Sequence, residues 1–113
     1  MRDIETIQLA GGIDMPTVGF GTYLIPDEAA EHAVTQALCA GYRHVDTAES
    51  YGNERGVGSA IRKAEDELGL SRSEVFVTTK LWPGNPAWDD PTKTPAETVA
   101  AFVASLERLE QRG

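Results

Sequence analysis

The chain has 113 residues, and its 18 acidic and 10 basic residues give a net charge of −8. This acidic balance provides no electrostatic surface for nucleic acid or for an anionic membrane, and no apolar run approaches the roughly 18 residues that span a bilayer. One cysteine and two histidines exclude a disulfide framework and a multi-cysteine zinc site, so we expect no metal site and a reducing, cytoplasmic location.

The first residues predict a small β-hairpin followed by a short strand. Apolar and polar residues alternate over 6–9 and again over 13–15, and Gly11-Gly12 between them supplies the positive φ of a tight turn. After Pro16, residues 17–21 predict a short strand, whose glycines indicate the close approach of other backbone or of a ligand.

Two helices with a strand between them come next. Residues 27–40 predict a helix that Gly41 ends as a left-handed cap, and residues 44–47 predict a strand. Asn53 is a good N-cap for the second helix, which Gly69 follows. The apolar positions expected to face inward are Ala30, Ala33, Val34, Ala37 and Leu38 in the first helix and Val57, Ala60, Ile61, Ala64 and Leu68 in the second.

The last third predicts one more strand and one more helix. Residues 74–81 are rich in β-branched side chains, which favour a strand, and a proline-containing loop follows. The third helix begins with a capping-box pattern between Thr94 and Glu97, with Pro95 at the first helical position. Its apolar residues at helical spacing are Val99, Phe102, Val103, Leu106 and Leu109.

The order of elements is therefore a hairpin followed by β-α-β-α-β-α, which predicts an α/β fold with parallel strands. Two architectures use this alternation, an open doubly wound sheet and a closed (β/α)8 barrel. The first is typically marked by a Gly-x-Gly-x-x-Gly turn after the first strand. Gly19-Phe20-Gly21 begins such a turn, but Leu24 stands at its third glycine position, so the dinucleotide-fold motif is absent.

Chemically useful side chains follow the strands where each one ends. Asp46 ends the second strand, Tyr51 comes five residues later, and Lys80 lies at the end of the third strand. Because the carboxyl ends of parallel strands share one face, these three residues are expected to converge there. A free tyrosine has a pKa near ~10, and a neighbouring ammonium favours the phenolate. An aspartate that fixes the lysine would complete a phenol able to protonate a carbonyl oxygen as hydride arrives at carbon.

Three segments in order resemble the aldo-keto reductase family. The long middle one, GYRHVDTAESYGNE at 41–54, is the most specific, and GFGTY at 19–23 and VTTKLW at 77–82 flank it. The resemblance implies a (β/α)8 TIM barrel whose floor the N-terminal hairpin closes. It also implies reduction of aldehydes or ketones to alcohols with a nicotinamide cofactor, NADPH rather than NADH.

The same resemblance implies roles for individual residues. Tyr51 would be the proton donor, Lys80 the group that tunes its pKa, and Asp46 the partner of Lys80. Asp46 together with Gly21 and Thr22 would lie beside the cofactor. The substrate pocket would be lined by Tyr23 and Trp82.

One catalytic residue of the family has no counterpart, a histidine that ends the fourth strand. His32 lies inside the first helix and His44 opens the second strand, so both are expected to be structural. We expect the chain to be an N-terminal part of the domain, spanning residues 1–113 and about three strand–helix units. Because three strands cannot close a barrel, we expect this piece to be marginally stable, to self-associate and to lack normal activity, whereas the parent is expected to be a monomer.

Several other residues carry plainer expectations. Arg43 is expected to pair with a carboxylate on the barrel floor, and Asn53-Glu54 to cap the second helix. Cys39 is expected to be buried or half-buried, and Asp89-Asp90 to belong to a solvated loop.

The alternative function is a non-catalytic member of the same fold, which senses a cofactor or serves as a structural subunit. Reductase activity that depends on Tyr51 would distinguish the enzyme from that alternative.

Overall fold

The computed structural model of the chain describes residues 4–110, which form a mixed α/β structure. It begins with an antiparallel hairpin of β1 (Thr6–Gln8) and β2 (Asp14–Pro16). A 3₁₀ turn at Ala10–Gly12 joins the two strands, and both glycines of this turn adopt positive φ. The predicted hairpin is confirmed, and so is the prediction that Gly11-Gly12 supplies the positive φ of its turn.

A second sheet contains three parallel strands in the order β3-β4-β5. One helix follows each strand. The strands are β3 (Phe20–Gly21), β4 (His44–Asp46) and β5 (Phe76–Thr78), and the helices are α1 (Asp27–Ala40), α2 (Glu54–Glu67) and α3 (Pro95–Leu109). The predicted alternation of strands and helices is confirmed.

The strands are shorter than the sequence predicted. Residues 74–81 were expected to form one strand, but Arg72–Glu74 form a 3₁₀ turn closed by a capping box between Ser71 and Glu74. Beyond β5 the parallel pairing nevertheless continues, because the amide of Glu49 donates to the carbonyl of Lys80 at 2.9 Å. The backbone around Lys80 is therefore fixed to the segment that follows β4.

The core lies where α1 and α2 pack against one face of the parallel sheet. At its centre α2 packs against both α1 and α3. Two glycines permit this approach, since a β-carbon at Gly56 would lie 2.7 Å from that of Ala30, and one at Gly58 would lie 2.5 Å from the carbonyl oxygen of Leu109. The core residues include Val34, Leu38, Val45, Val57, Ile61, Ala64, Leu70 and Val75.

Some predicted inward-facing residues are exposed instead. Leu68 comes after the last turn of α2 and is exposed, and Cys39 lies on the outer side of α1 rather than buried or half-buried. In α3, Val99, Phe102 and Val103 are all exposed, whereas Ser105 and Leu109 are buried. Helical spacing identifies an apolar face, but burial also needs a second element to cover that face, and α3 meets α2 mainly through its last turns.

Among residues 4–110, no carboxylate forms an ion pair with Arg43. Its guanidinium donates to the backbone oxygens of Leu38 at 2.9 Å and Tyr42 at 2.7 Å, so it satisfies carbonyls at the C-terminal end of α1. The ring of His44 lies between the oxygen of Pro16 at 3.1 Å and the hydroxyl of Thr78 at 2.8 Å, where it connects the hairpin to β4 and β5.

No helix within residues 4–110 combines the length and the apolar character needed to cross a bilayer. The same stretch holds no group of three or more histidine, cysteine or acidic side chains placed to hold a metal ion.

Candidate active site

Three of the predicted site residues meet where β4 and β5 end. Asp46 is the last residue of β4 and pairs in register with Thr78, the last residue of β5. Lys80 follows two residues later, and Tyr51 ends the 3₁₀ turn at Glu49–Tyr51. Parallel pairing therefore brings together groups that are 29 and 34 residues apart in the chain.

The ammonium of Lys80 is the centre of this arrangement. Its Nζ donates to Oδ2 of Asp46 at 2.8 Å and to the phenol oxygen of Tyr51 at 3.2 Å. A third hydrogen bond, 3.2 Å long, goes to the backbone oxygen of Thr47. All three donor positions of the ammonium are thus used, and its direction is fixed although the side chain is exposed.

The electrostatics of this group favour a charged lysine. Partial burial by itself lowers the pKa of Lys80, but the hydrogen bonds that the ammonium donates to Asp46 and Tyr51, together with the charges of these two groups, outweigh it, so the pKa of Lys80 is raised. Near neutral pH Lys80 is therefore a cation whose charge lies beside the hydroxyl of Tyr51. Such a cation stabilises the phenolate that remains when the phenol gives up its proton, which is the requirement for a tyrosine that acts as an acid.

The residues predicted to lie beside a cofactor adjoin Asp46. Gly21 pairs with Asp46 across β3 and β4, and a β-carbon built at Gly21 would meet no atom within 4 Å. Thr22 is fully buried, and its hydroxyl donates to the backbone oxygen of Asp46 at 3.0 Å. The open space therefore lies at Gly21, while Thr22 holds the ends of the two strands together.

Aromatic rings flank the three residues. The ring of Tyr23 lies 5.2 Å from that of Tyr51 and is 66% exposed. Trp82 stacks on Trp88 with ring centroids 6.0 Å apart, and its indole N–H donates to Asp90 at 2.6 Å. Asp90 was expected to belong to a solvated loop, and it is exposed but also orients a ring of the predicted pocket.

Glu49 anchors the loop that carries Trp82. One carboxylate oxygen accepts from the amide of Trp82 at 3.3 Å, and the other lies 3.4 Å from Nζ of Lys93. Lys93 also donates to the backbone oxygen of Trp82. The loop between β5 and α3 is thereby attached to the same 3₁₀ turn that ends at Tyr51.

Two buried polar residues, Asn53 and Glu54, make contacts other than the helix capping that the sequence predicts for them. Asn53 precedes α2, but its side chain makes no capping hydrogen bond; it spans the loop after β3 and Thr47 instead. Glu54 is 1% exposed and binds Thr79 and Arg108. A signal was present for Glu54, because it lies three and seven residues before Val57 and Ile61, on the buried stripe of α2.

Comparisons with known proteins identify the family to which this chain belongs. The sequence model of the aldo/keto reductase family matches residues 17–112. An aldo-keto reductase of Mycobacterium sp. strain KMS is 46% identical over 103 residues, which are 91% of this chain and 33% of that protein. The glyoxal reductase of Bacillus subtilis is 37% identical over 107 residues, which are 94% and 35% of the two chains.

A solved structure is similar over nearly the whole chain. The crystal structure of an aldo/keto reductase from Brucella melitensis superposes with a TM-score of 0.80 at 40% identity, covering 98% of this chain and 38% of that one. The chain spans about a third of the length of the curated relatives that it matches. With the family model, two relatives and a solved structure in agreement, the chain belongs to the aldo/keto reductase family.

Proposed function

We propose that residues 1–113 form the N-terminal part of an aldo-keto reductase domain, namely the hairpin and three strand–helix units of a (β/α)8 barrel. The support is the parallel order β3-β4-β5 with a helix after each strand, together with the match to about a third of longer relatives. A barrel of eight such units typically has about 250 residues. The exposed apolar face of α3 has the character of a surface that a further unit would cover.

We infer that the reaction is the NADPH-dependent reduction of an aldehyde or ketone to an alcohol. The observation that carries this proposal is the contact of Lys80 with both Asp46 and Tyr51. When bound, the nicotinamide cofactor supplies the hydride for the carbonyl carbon. Tyr51 donates its phenol proton to the carbonyl oxygen, and Lys80 stabilises the phenolate left behind while Asp46 holds Lys80 in place.

The remaining residues suit the binding of the two reactants. The open space at Gly21, beside Asp46, fits the flat nicotinamide ring, and buried Thr22 keeps the floor of that space rigid. Tyr23 and Trp82 present aromatic surface on which a small carbonyl compound can pack. The resemblance also implies a catalytic histidine; His32 lies in α1, and His44 lies at the opposite end of β4 from Asp46, so we place that histidine on a further barrel strand.

A chimeric enzyme tests the proposal. In it, residues 17–112 replace the matching segment of the Bacillus subtilis glyoxal reductase, and NADPH oxidation is followed with glyoxal as substrate. We expect turnover, and we expect Tyr51→Phe to lower kcat by roughly a hundredfold to ten-thousandfold, the range for loss of a general acid. Titration with NADPH and with NADH measures the cofactor preference.

Tyr42→Phe is the matched control, because it also removes a tyrosine hydroxyl. Tyr42 lies near the opposite end of β4, where its ring packs on Phe20. Its kcat should equal that of the unsubstituted chimera. Turnover that survives Tyr51→Phe would remove the proton-donor role. A chimera that binds NADPH but reduces no carbonyl compound would favour the non-catalytic alternative.

A further inference from the structure

Two consecutive buried residues at the start of α2, Asn53 and Glu54, make contacts that neither capping nor core packing explains. Asn53 is fully buried and uses both ends of its amide. Its nitrogen donates to the backbone oxygens of Thr22 at 2.8 Å and Ile25 at 3.0 Å, and its oxygen accepts from the hydroxyl of Thr47 at 2.6 Å. Asn53 therefore ties the loop after β3 to the residue that follows Asp46, only two positions beyond Tyr51.

Glu54 makes similar contacts with the residue that precedes Lys80 and with α3. One carboxylate oxygen accepts from the hydroxyl of Thr79 at 2.6 Å, and the other accepts from Ser105 at 3.2 Å and from the guanidinium of Arg108 at 2.7 Å. Burying a carboxylate costs free energy that an apolar side chain of similar size would not cost. Packing alone thus gives no reason for a glutamate here.

The partner threonines are the residues that adjoin the reactive groups. Thr47 follows Asp46, and its backbone oxygen accepts the third hydrogen bond of Lys80 while its hydroxyl binds Asn53. Thr79 precedes Lys80. Backbone hydrogen bonds from Thr47 to Thr78 and from Glu49 to Lys80 keep this stretch extended.

Neighbouring side chains of an extended chain point to opposite faces. Because Glu54 holds the hydroxyl of Thr79 on the helix side, Lys80 is directed to the side where Asp46 and Tyr51 lie.

We propose that Asn53 and Glu54 are positioning residues, which hold the ends of β4 and β5 through Thr47 and Thr79 so that Lys80 meets Asp46 and Tyr51. This inference rests on the proposed function for its catalytic meaning. Neither residue touches the reacting groups; each acts through a threonine hydroxyl. The tyrosine that donates the proton and the lysine that assists it are thus set relative to each other from the N-terminal end of a single helix.

Three isosteric substitutions test the positioning in the 113-residue chain itself. Thr47→Val and Thr79→Val each remove one hydroxyl that binds Asn53 or Glu54. Thr78→Val is the matched control one residue before Thr79, since it removes a hydroxyl that binds His44 instead. The chain contains only three lysines, Lys63, Lys80 and Lys93, so ¹³C labelling of the lysine side chains gives few NMR signals to assign and titrate.

We expect the NMR titration to give a raised pKa for Lys80 in the unsubstituted chain and in Thr78→Val. The pKa should fall in Thr47→Val and Thr79→Val, in the direction that Asp46→Asn also moves it, and Thr79→Ser should restore it. Only variants with the circular dichroism spectrum of the unsubstituted chain are compared. If Thr79→Val unfolds, Thr47→Val and Glu54→Gln, which keeps the side-chain shape, decide the result.

The inference is overturned if folded Thr47→Val and Thr79→Val titrate as the unsubstituted chain does while Asp46→Asn lowers the pKa of Lys80. It is also overturned if Lys80 of the unsubstituted chain titrates at the ordinary lysine pKa.

In the glyoxal reductase chimera, Thr79→Val should lower kcat roughly tenfold to a hundredfold, the scale of a misplacement of about 1 Å, with KM for NADPH unchanged. The titration needs neither cofactor nor carbonyl substrate. The positioning of Lys80 can therefore be supported even if the chimera reduces no carbonyl compound, and it can be contradicted even if the chimera is active.

Discussion

The helices α2 and α3 have similar lengths, 14 and 15 residues, and both show an apolar face at helical spacing, yet they are buried very differently. In α2 that face packs against α1 and the sheet. Even the first residue of α2, Glu54, is buried. In α3 only Ser105 and Leu109 are buried, near its C-terminal end, and Phe102 is 60% exposed. The difference shows that an apolar pattern predicts which side of a helix is suited to packing, whereas the surrounding elements decide whether it is packed.

The largest difference in the free energy of unfolding is expected between substitutions of the first-turn glutamates, Glu54 in α2 and Glu97 in α3. Glu54→Ala leaves Arg108 without its buried partner and Thr79 without its acceptor, so we expect the free energy of unfolding to fall by about 3–5 kcal/mol, as for other broken buried ion pairs. Urea unfolding of the chain measures it. Glu97→Ala is the control in α3, where the carboxylate is exposed, and should cost much less. Equal losses would mean that Glu54 is not the centre of the α2–α3 contact.

The contact between α2 and α3 should be sensitive to one added methyl group. A β-carbon at Gly58 would lie 2.5 Å from the carbonyl oxygen of Leu109, so Gly58→Ala should cost about 1–3 kcal/mol and lower the hydrogen-exchange protection of α3. Gly56→Ala gains the same helix propensity but clashes with α1 at Asp27 and Ala30. It should loosen the α1 side and leave the protection of α3 higher than Gly58→Ala does.

The exposed face of α3 should tolerate polar residues. Phe102→Gln should change the free energy of unfolding by no more than about 0.5 kcal/mol, as is usual for surface positions, and should reduce self-association in sedimentation experiments. Ile61→Ala, on the buried face of α2, should cost about 2–5 kcal/mol by comparison. A large loss from Phe102→Gln would show that the apolar face of α3 is covered in solution.

The smallest effect is expected at the start of α3, where Thr94 and Glu97 form a capping box that α2 lacks. The backbone hydrogen bond from Thr94, with a smaller contribution from its side chain, lowers the pKa of Glu97. A lowered folded pKa means that the stabilisation is present above the ordinary glutamate value of about 4.3 and is lost as pH falls through the lower folded value. Helix content by circular dichroism should therefore decline slightly over that acidic range, and the decline should be smaller in Glu97→Gln.

Local signals were sufficient to predict much of the fold. The bounds of α1 at 27–40, the left-handed Gly41 and the Thr94 capping box all follow from residues close together in the chain, and all three are present. The meeting of Asp46 with Lys80 was also predictable, because parallel strands bring their carboxyl ends to one edge. Their catalytic roles stay predictions until the chimera is measured.

Some contacts that escaped prediction join distant parts of the chain. Glu54 and Arg108 are 54 residues apart, and nothing in the neighbourhood of either one indicates the other. A local contact escaped prediction as well: Arg43 binds backbone oxygens close to it in the chain, because carboxylates and free backbone oxygens are both suitable acceptors for a guanidinium and the choice depends on where α1 ends. Sequence patterns identify groups that need a partner more readily than they identify the partner.

The stacked rings of Trp82 and Trp88 are the only tryptophans of the chain, and both belong to the loop between β5 and α3. The tryptophan fluorescence of the chain, excited selectively, therefore reports on this loop beside Lys80 and not on the helices or the core. An unfolding curve followed by fluorescence records the opening of the loop, whereas circular dichroism records the loss of α1, α2 and α3. A difference between the two midpoints would measure directly how independently the loop moves from the scaffold beneath it.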